Sequence, residues 1–303
     1  MESPGARRRV FASLSCLAVL AAGTAVGAAY ATDPPRSGIR AVAGSREEAS
    51  VEPVVRPATV DRQALLEKAI AAVAVPEGAR VSVAVLDLAS GERAGYRDGL
   101  SFDTASIVKV DILAALLLRA QDTGRSLTAA ERAYATAMIE RSDNASASAL
   151  WRAVGRAPGL RAANERLGLT ATVGGDGMLW GLTRTTAADQ LTLLSQVFGE
   201  DSALSAASRA YVRGLMGRIA EGQRWGVSAA ADGSTAWALK NGWLPRSTTG
   251  LWDVNSVGRV TAGGREYVVA VLSDGNGTQA AGVSLVETVA KAAVGVFGGA
   301  EAS

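Results

Sequence analysis

The 303-residue sequence has no histidine and a single cysteine, Cys16. Without histidine there can be no Ser-His-Asp or Cys-His catalytic set and no His-ligated metal. One cysteine excludes an internal disulfide and any cysteine-cluster zinc site. The chain also lacks a dominant charge. Its net charge is +2, and no basic stripe interleaved with aromatics marks a nucleic-acid surface. Lysine is scarce: of 31 basic residues only Lys68, Lys109, Lys240 and Lys291 are lysines. What remains is 48% apolar and 20% charged, enough for a sizeable core in one large domain or two small ones. Any nucleophilic chemistry must take Lys, Asp, Glu or Tyr as its base. Nothing in the pattern calls for a cofactor or a metal.

The N-terminus has the form of an export signal over residues 1–31. Arg7, Arg8 and Arg9 precede an apolar run from Val10 to Ala29, and Ala29-Tyr30-Ala31 fits a small-x-small cleavage site. Cleavage there starts the mature chain at Thr32. The alternative is an uncleaved anchor, since about 20 apolar residues can cross a bilayer. Arg8-Arg9-Val10-Phe11 loosely fits a twin-arginine signal, so the export route stays open. Cys16 lies inside the apolar run, so a cleaved chain carries no cysteine. The expected location is secreted or extracytoplasmic, with a membrane contact only through an uncleaved signal. Residues 32–60 carry Pro34, Pro35, Pro53 and Pro57 with few large apolar residues, and read as a flexible tether. The folded domain is expected over 61–298, as a monomer, with a short tail at 299–303.

Within that domain Asp61 can cap a helix running to about Val73. Arg80 to Leu88 alternates apolar and small residues as a strand does, and Gly91 turns it into a second strand ending near Tyr96. Ser106 to about Ala210 is rich in Ala and Leu and mostly helical. Strand patterns return at Ala236–Leu239, Trp252–Val260 and Tyr267–Ser273, before a last amphipathic helix from Thr278 to Val296. Strands at both ends with helices between them predict an α+β fold. The N- and C-terminal strands form one antiparallel sheet and the central segment a mainly helical lobe.

Three short motifs can carry chemistry. In Phe102-Asp103-Thr104-Ala105-Ser106-Ile107-Val108-Lys109, Thr104 or Asp103 can cap a helix holding Ser106 in its first turn. Lys109 lies three residues on, on the same face. Serine is a weak nucleophile until a base takes its proton. Lysine can do so only if its pKa falls from about 10.4 toward 7, a shift of roughly 4–5 kcal/mol that burial or a neighbouring cation must supply. Arginine could not replace such a titratable amine. Ser142-Asp143-Asn144 follows a helix over about 129–141, and in a non-helical stretch Ser142 and Asn144 face one way while Asp143 faces the other. Lys240-Asn241-Gly242 ends a predicted strand, where Gly242 would let a ligand backbone approach and Lys240 would add positive charge. Singly, each motif is also an ordinary helix start, turn or strand end.

Together, in this order and these contexts, they resemble the S-x-x-K, S-D-N and K-T-G set of penicillin-recognising serine enzymes, most closely class A β-lactamases. The resemblance extends from Asp61 to Val296. It includes Leu127-Thr128-Ala129-Ala130-Glu131 before the second motif, and Thr183-Arg184-Thr185-Thr186 opening the helix after the omega loop. It implies a β-lactamase-like fold and a serine hydrolase acting on an amide bond. Ser106 would be the acylated nucleophile, Lys109 its base partner and Ser142 a proton relay to the leaving nitrogen. Asn144, Lys240, Asn241, Gly242 and Trp243 would bind substrate. The backbone N–H groups of Ser106 and of Trp243 or Leu244 would form the oxyanion hole. The implied partner is a small β-lactam or a peptidoglycan peptide. Alternatives are a D,D-peptidase-like cell-wall enzyme and a non-catalytic wall-binding or sensor domain.

The sequence departs from that pattern in three places. K-T-G has become Lys240-Asn241-Gly242. The stretch from Ser106 to Ser142 is shortened. The segment from Gly168 to Thr183 holds no glutamate, leaving Asp176, between glycines, as its one carboxylate and as a weak candidate deacylation base; Glu165 falls on the preceding helix. Removal of residues 1–60 is expected to leave a soluble domain with a single cooperative thermal transition. Aggregation of the shortened chain in calorimetry would place the boundary elsewhere.

Overall fold

The structure, a computed structural model, describes residues 60–233 and 237–298. The chain divides into units Met1–Arg56 and Pro57–Ser303, and all described residues lie in the second. The expected export signal, the tether up to residue 59, the tail and Ala236 lie outside them.

Helix α1, Arg62–Ala71, starts where Asp61 accepts a hydrogen bond from the Ala64 N–H at 3.0 Å. Strands β1 (Arg80–Asp87) and β2 (Arg93–Tyr96) form a hairpin. A two-residue strand, β3 (Phe102–Asp103), leads through a 3₁₀ turn at Ala105–Ile107 into α2, Val108–Asp122. Then come α3 (Ala129–Glu140), α4 (Asn144–Val154) and α5 (Arg156–Leu167). Beyond a loop lie β4 (Arg184–Thr185), α6 (Ala187–Phe198) and α7 (Ala206–Met216). Strands β5 (Trp237–Pro245), β6 (Trp252–Ala262) and β7 (Arg265–Asn276) precede α8, Gln279–Gly298.

The main sheet runs β2-β1-β7-β6-β5, antiparallel throughout, so the two ends of the domain meet where β1 pairs with β7. The α+β arrangement read from the sequence is the arrangement found. The central strand β7 is covered on both sides. Val268, Ala270 and Leu272 enter the core facing the helical lobe, while Tyr267, Val269 and Val271 enter the core under α1 and α8. A strand with both faces buried needs no polar alternation, which explains the unbroken apolar run. Helix α2 is the hub of the helical lobe. Twelve of its fifteen residues are buried, and it packs on α3, α4, α5 and α7. Its stretch from Ile112 to Leu118 is unbroken apolar, as that position requires.

Two expected local features differ. Thr104 precedes the 3₁₀ turn but its side chain makes no capping bond, and the Asp103 carboxylate instead pairs with Arg184 and Arg246. Asn144 is already the first residue of α4, because Asp143 caps that helix by accepting the Ser146 N–H at 2.7 Å.

One polar pair lies deep between α2 and α6. Asp111 is fully buried and accepts a long bond from Gln190 Nε2 at 3.4 Å, while its Oδ2 and Gln190 Oε1 both lack partners. Protonation removes a charge that this buried carboxyl has only one long side-chain hydrogen bond to support. Burial drives the same result, pushing this carboxyl up to about 7, with a smaller upward push from Asp189. The unfolded chain ionises Asp111 above about 4, whereas the folded chain holds its proton to about 7. Its stabilising contribution is therefore complete below about 4 and lost as pH rises toward 7. Urea unfolding across that window should show wild type losing roughly 2–4 kcal/mol relative to Asp111→Asn, whose amide supplies the donor at every pH. Parallel pH curves for the two proteins would contradict a protonated Asp111.

Candidate active site

The three sequence motifs converge at the junction of lobe and sheet. Ser106 sits in the 3₁₀ turn that feeds α2, half-exposed between the buried residues Ala105 and Ile107. Two devices fix this turn. Ala105 adopts φ +47°, in the left-handed region that non-glycine residues rarely enter. Asn255 on β6, fully buried, donates from Nδ2 to the carbonyls of Asp103 at 2.9 Å and Thr104 at 3.1 Å. The backbone of the loop before β4 helps, with Thr183 O accepting the Thr104 N–H.

Lys109, in the first turn of α2, reaches four oxygens. Its Nζ lies 2.9 Å from Ser106 Oγ, 2.7 Å from Ser142 O, 3.0 Å from Ser142 Oγ and 2.8 Å from Asn144 Oδ1. The Ser142 carbonyl and the Asn144 amide oxygen can only accept, so they take two N–H bonds. In the neutral amine that leaves a lone pair, and Ser106 Oγ–H is within reach of it. Burial lowers the Lys109 amine to about 7, against a smaller upward pull from Asp143. Asp143 points elsewhere: its carboxylate caps α4, and the hydrogen bonds from Ser146 hold it below the usual carboxylate range.

Ser142 Oγ is shared by two lysines. Lys240 Nζ lies 3.0 Å from it and donates to Asn241 O at 2.7 Å. Lys240 is fully buried, and burial, with the neighbouring charge of Lys109, pushes its amine well below the usual lysine range. Among the described residues neither lysine forms an ion pair with a carboxylate. Ser142 itself has φ +56°, so both turns that carry the serines hold a residue in the left-handed region.

The third motif differs from its expected setting. Lys240, Asn241 and Gly242 lie in the middle of β5, because the strand continues to Pro245. Gly242 opens space for the protein's own backbone. A Cβ there would meet Ser106 N at 2.7 Å, Ile107 N at 2.8 Å and Thr104 O at 2.8 Å. The glycine thus lets β5 lie against the nucleophile turn. Asn241, expected to face a ligand, is buried and donates from Nδ2 to Gln223 O at 2.8 Å and Trp225 O at 2.9 Å. It ties β5 to the preceding loop. Trp243, half-buried, packs against Trp225 with ring centroids 5.9 Å apart.

Asp176 is exposed on a turn whose backbone carbonyl accepts the Leu179 N–H. Glu165 is exposed on α5. The residue that the loop brings to the site is one the sequence gave no reason to select, Trp180. Its ring centroid lies 4.9 Å from Lys109 Nζ, and its Nε1 donates to Ser148 Oγ at 3.1 Å. Asn255 is a second such residue: it lies among other polar residues of β6, Asp253 and Ser256, so its sequence context does not single it out. Among the described residues no group of three or more Cys, Asp or Glu could hold a metal.

The sequence matches the family described as Beta-lactamase enzyme family over residues 65–133 and 124–297. The chain belongs to this beta-lactamase family. Solved structures share its fold. A class A beta-lactamase from Bacteroides cellulosilyticus superposes with a TM-score of 0.68 at 17% identity, covering 78% of this chain and 98% of that one. PBP-A does so at 0.67 and 22% identity, covering 80% and 97%, and a point mutant of PBP-A is known as an acyl-enzyme complex with penicillin G. A beta lactamase from Burkholderia vietnamiensis reaches 0.66 at 22% identity, covering 80% and 98%. No curated protein matches the sequence. Family and fold together make this beta-lactamase-family chain a hydrolase of amide bonds.

The contact between Gly242 and the Ser106 turn has a direct test. Gly242→Ala forces backbone against backbone, so urea unfolding should show a loss of about 1–3 kcal/mol. Gly222→Ala, whose Cβ meets nothing within 4 Å, should stay within about 0.5 kcal/mol of wild type.

Proposed function

We propose that this protein is an extracytoplasmic serine hydrolase, acylated on Ser106, that opens a β-lactam or a D-alanyl peptide amide. The observation that carries the reading is the 2.9 Å approach of Ser106 Oγ to a buried Lys109 amine whose other contacts include two obligate acceptors. Neutral Lys109 takes the Ser106 proton as Oγ bonds to the amide carbon. The Ser106 N–H, at the turn beside β5, with the N–H of Trp243 or Leu244, stabilises the oxyanion. The carbon–nitrogen bond then breaks. The leaving nitrogen takes the Ser142 hydroxyl proton, and the Lys109 ammonium restores it across 3.0 Å. Lys240 supplies the positive charge that a substrate carboxylate meets. Hydrolysis of the ester adds water to the carbonyl carbon, returns a proton to Ser106 Oγ and releases the acid.

A D,D-peptidase-like enzyme is the second reading, and one observation favours it. The loop before β4 offers Lys109 the ring of Trp180 and no carboxylate, so a water-activating base is missing on that side. A positioned base is typically worth about 10²–10⁴-fold, so slow release of the acyl group follows. With a chromogenic cephalosporin we expect a fast burst of one equivalent and a slow steady phase. Intact-mass analysis should find a penicillin adduct in wild type and none in Ser106→Ala. Lys109→Arg, which keeps charge but cannot accept a proton, should be nearly as inert as Lys109→Ala. Adduct formation at the wild-type rate in Ser106→Ala would refute the assignment. Asp176→Asn should alter the slow phase less than about tenfold. Rapid turnover without a burst, abolished in Asp176→Asn, would make Asp176 the base.

A further inference from the structure

Trp180 is the one group from the loop before β4 whose ring packs over the Lys109 amine, and the mechanism above does not use it. Its placement is built rather than incidental. The ring stands on a 3₁₀ turn, Trp180–Leu182, at the end of a loop with little freedom. Gly175 lies so close to this turn that a Cβ would sit 2.1 Å from Leu179 O, and Gly174 would meet Ala157 and Trp151 below 3.3 Å. Trp151 Nε1 donates to Gly177 O at 2.9 Å, fastening the loop to α4 from beneath. The Trp180 indole is then pinned by its own bond to Ser148, four residues after Asn144 and on the same face of α4. One helix thus supplies both an oxygen for Lys109 and the post that holds an aromatic plate against it.

An indole in this place can act in two opposed ways. Its π face attracts an ammonium, typically by about 0.5–1 kcal/mol where water competes. Its bulk also removes water from the amine, and losing hydration disfavours the charged form more strongly when no carboxylate is present to compensate. Among the described residues no carboxylate is bonded to Lys109; Asp143 acts on it only as a weaker, more distant charge, and Lys240 lies on the other side of Ser142 Oγ. Exclusion of water is therefore the larger effect. The turn that carries the plate packs on the turn that carries Ser106, so the ring obstructs a water approaching the ester from the loop side, and a donor-only indole cannot deprotonate one.

We propose that Trp180 is a positioning residue that shields the Ser106–Lys109 pair from water, keeping Lys109 ready to accept a proton and prolonging the life of the ester on Ser106. This rests on the acylation of Ser106 proposed above. The shield acts in both half-reactions. Acylation gains because the amine is held unprotonated near neutral pH. Deacylation loses because the step that needs water is the step the plate obstructs.

The test follows penicillin G on the full chain, measuring the acylation rate from about pH 5.5 to 10 and the half-life of the adduct by intact mass. In wild type the rate should rise as pH passes the Lys109 value of about 7. Trp180→Ala admits water, so that rise should move up by about one pH unit or more. Its adduct half-life should fall about tenfold. Trp180→Phe keeps an apolar plate and should restore both toward wild type. Ser148→Ala frees the indole nitrogen and touches none of the groups bonded to Lys109; it should shift both quantities in the direction of Trp180→Ala, by less. A folded Trp180→Ala with an unmoved or lowered pH midpoint and an unchanged half-life overturns the proposal. Should Trp180→Ala fail to fold, wild-type behaviour of Ser148→Ala overturns it. A wild type that takes no adduct overturns the Ser106 reading and this one together; a labelled wild type with unshifted variants overturns the role of Trp180 alone.

Discussion

Two lysine amines buried side by side, with no carboxylate bonded to either among the described residues, are the constraint around which this molecule is arranged. Lys109 and Lys240 are both fully buried and share a single hydroxyl, Ser142 Oγ. Two ammonium groups at that separation repel strongly in a medium poorer than water, so the pair cannot carry its full charge. The fold answers with neutral acceptors. The carbonyls of Ser142 and Asn241 and the amide oxygen of Asn144 take the N–H bonds that a carboxylate would otherwise draw. An amine so placed satisfies its hydrogens and still keeps a lone pair. In a protein with no histidine, this is one way to hold a base near neutral pH.

Holding that arrangement requires stiffness, and the surrounding structure supplies it from three directions. Helix α2 is packed on all sides, so Lys109 inherits the rigidity of the lobe's centre. Strand β5 comes into backbone contact with the Ser106 turn at Gly242, and Asn255 draws the same turn toward β6. Asp143 fixes the start of α4, and with it the positions of Ser142 and Asn144. The left-handed conformations of Ala105 and Ser142 persist because the surroundings over-determine them.

Much of this was legible in the sequence, for identifiable reasons. The strands announced themselves by alternation or by unbroken apolar runs, and their positions at both ends of the domain implied the shared sheet. The helix start at Asp61 was readable because capping is local chemistry, and the same local chemistry recurs at α3, where Thr128 and Glu131 form a reciprocal capping box. Ser106 and Lys109 share a face by spacing alone. The features that escaped depend on contacts distant in sequence. Gly242 reads as a strand-end glycine until β5 is laid against residue 106. Trp180 reads as a loop aromatic until the loop folds back onto α2. Asn241 resembles a ligand-facing residue by motif position, yet its amide is used by the backbone of residues 223 and 225. The strand boundary at Pro245 was missed because Trp243 and Leu244 fit either a strand or a turn.

Strand β5 also has a consequence for the protein's colloidal behaviour. It is the outermost strand of the five, and an unpaired strand edge is a template for another chain's backbone. A Cβ at Gly242 would point off the face of the strand, so the turn bearing Ser106 covers that face and not the hydrogen-bonding edge. Among the described residues no strand pairs with β5 on its outer side, and edge-to-edge association between copies of the chain is the route that this side of the sheet leaves open.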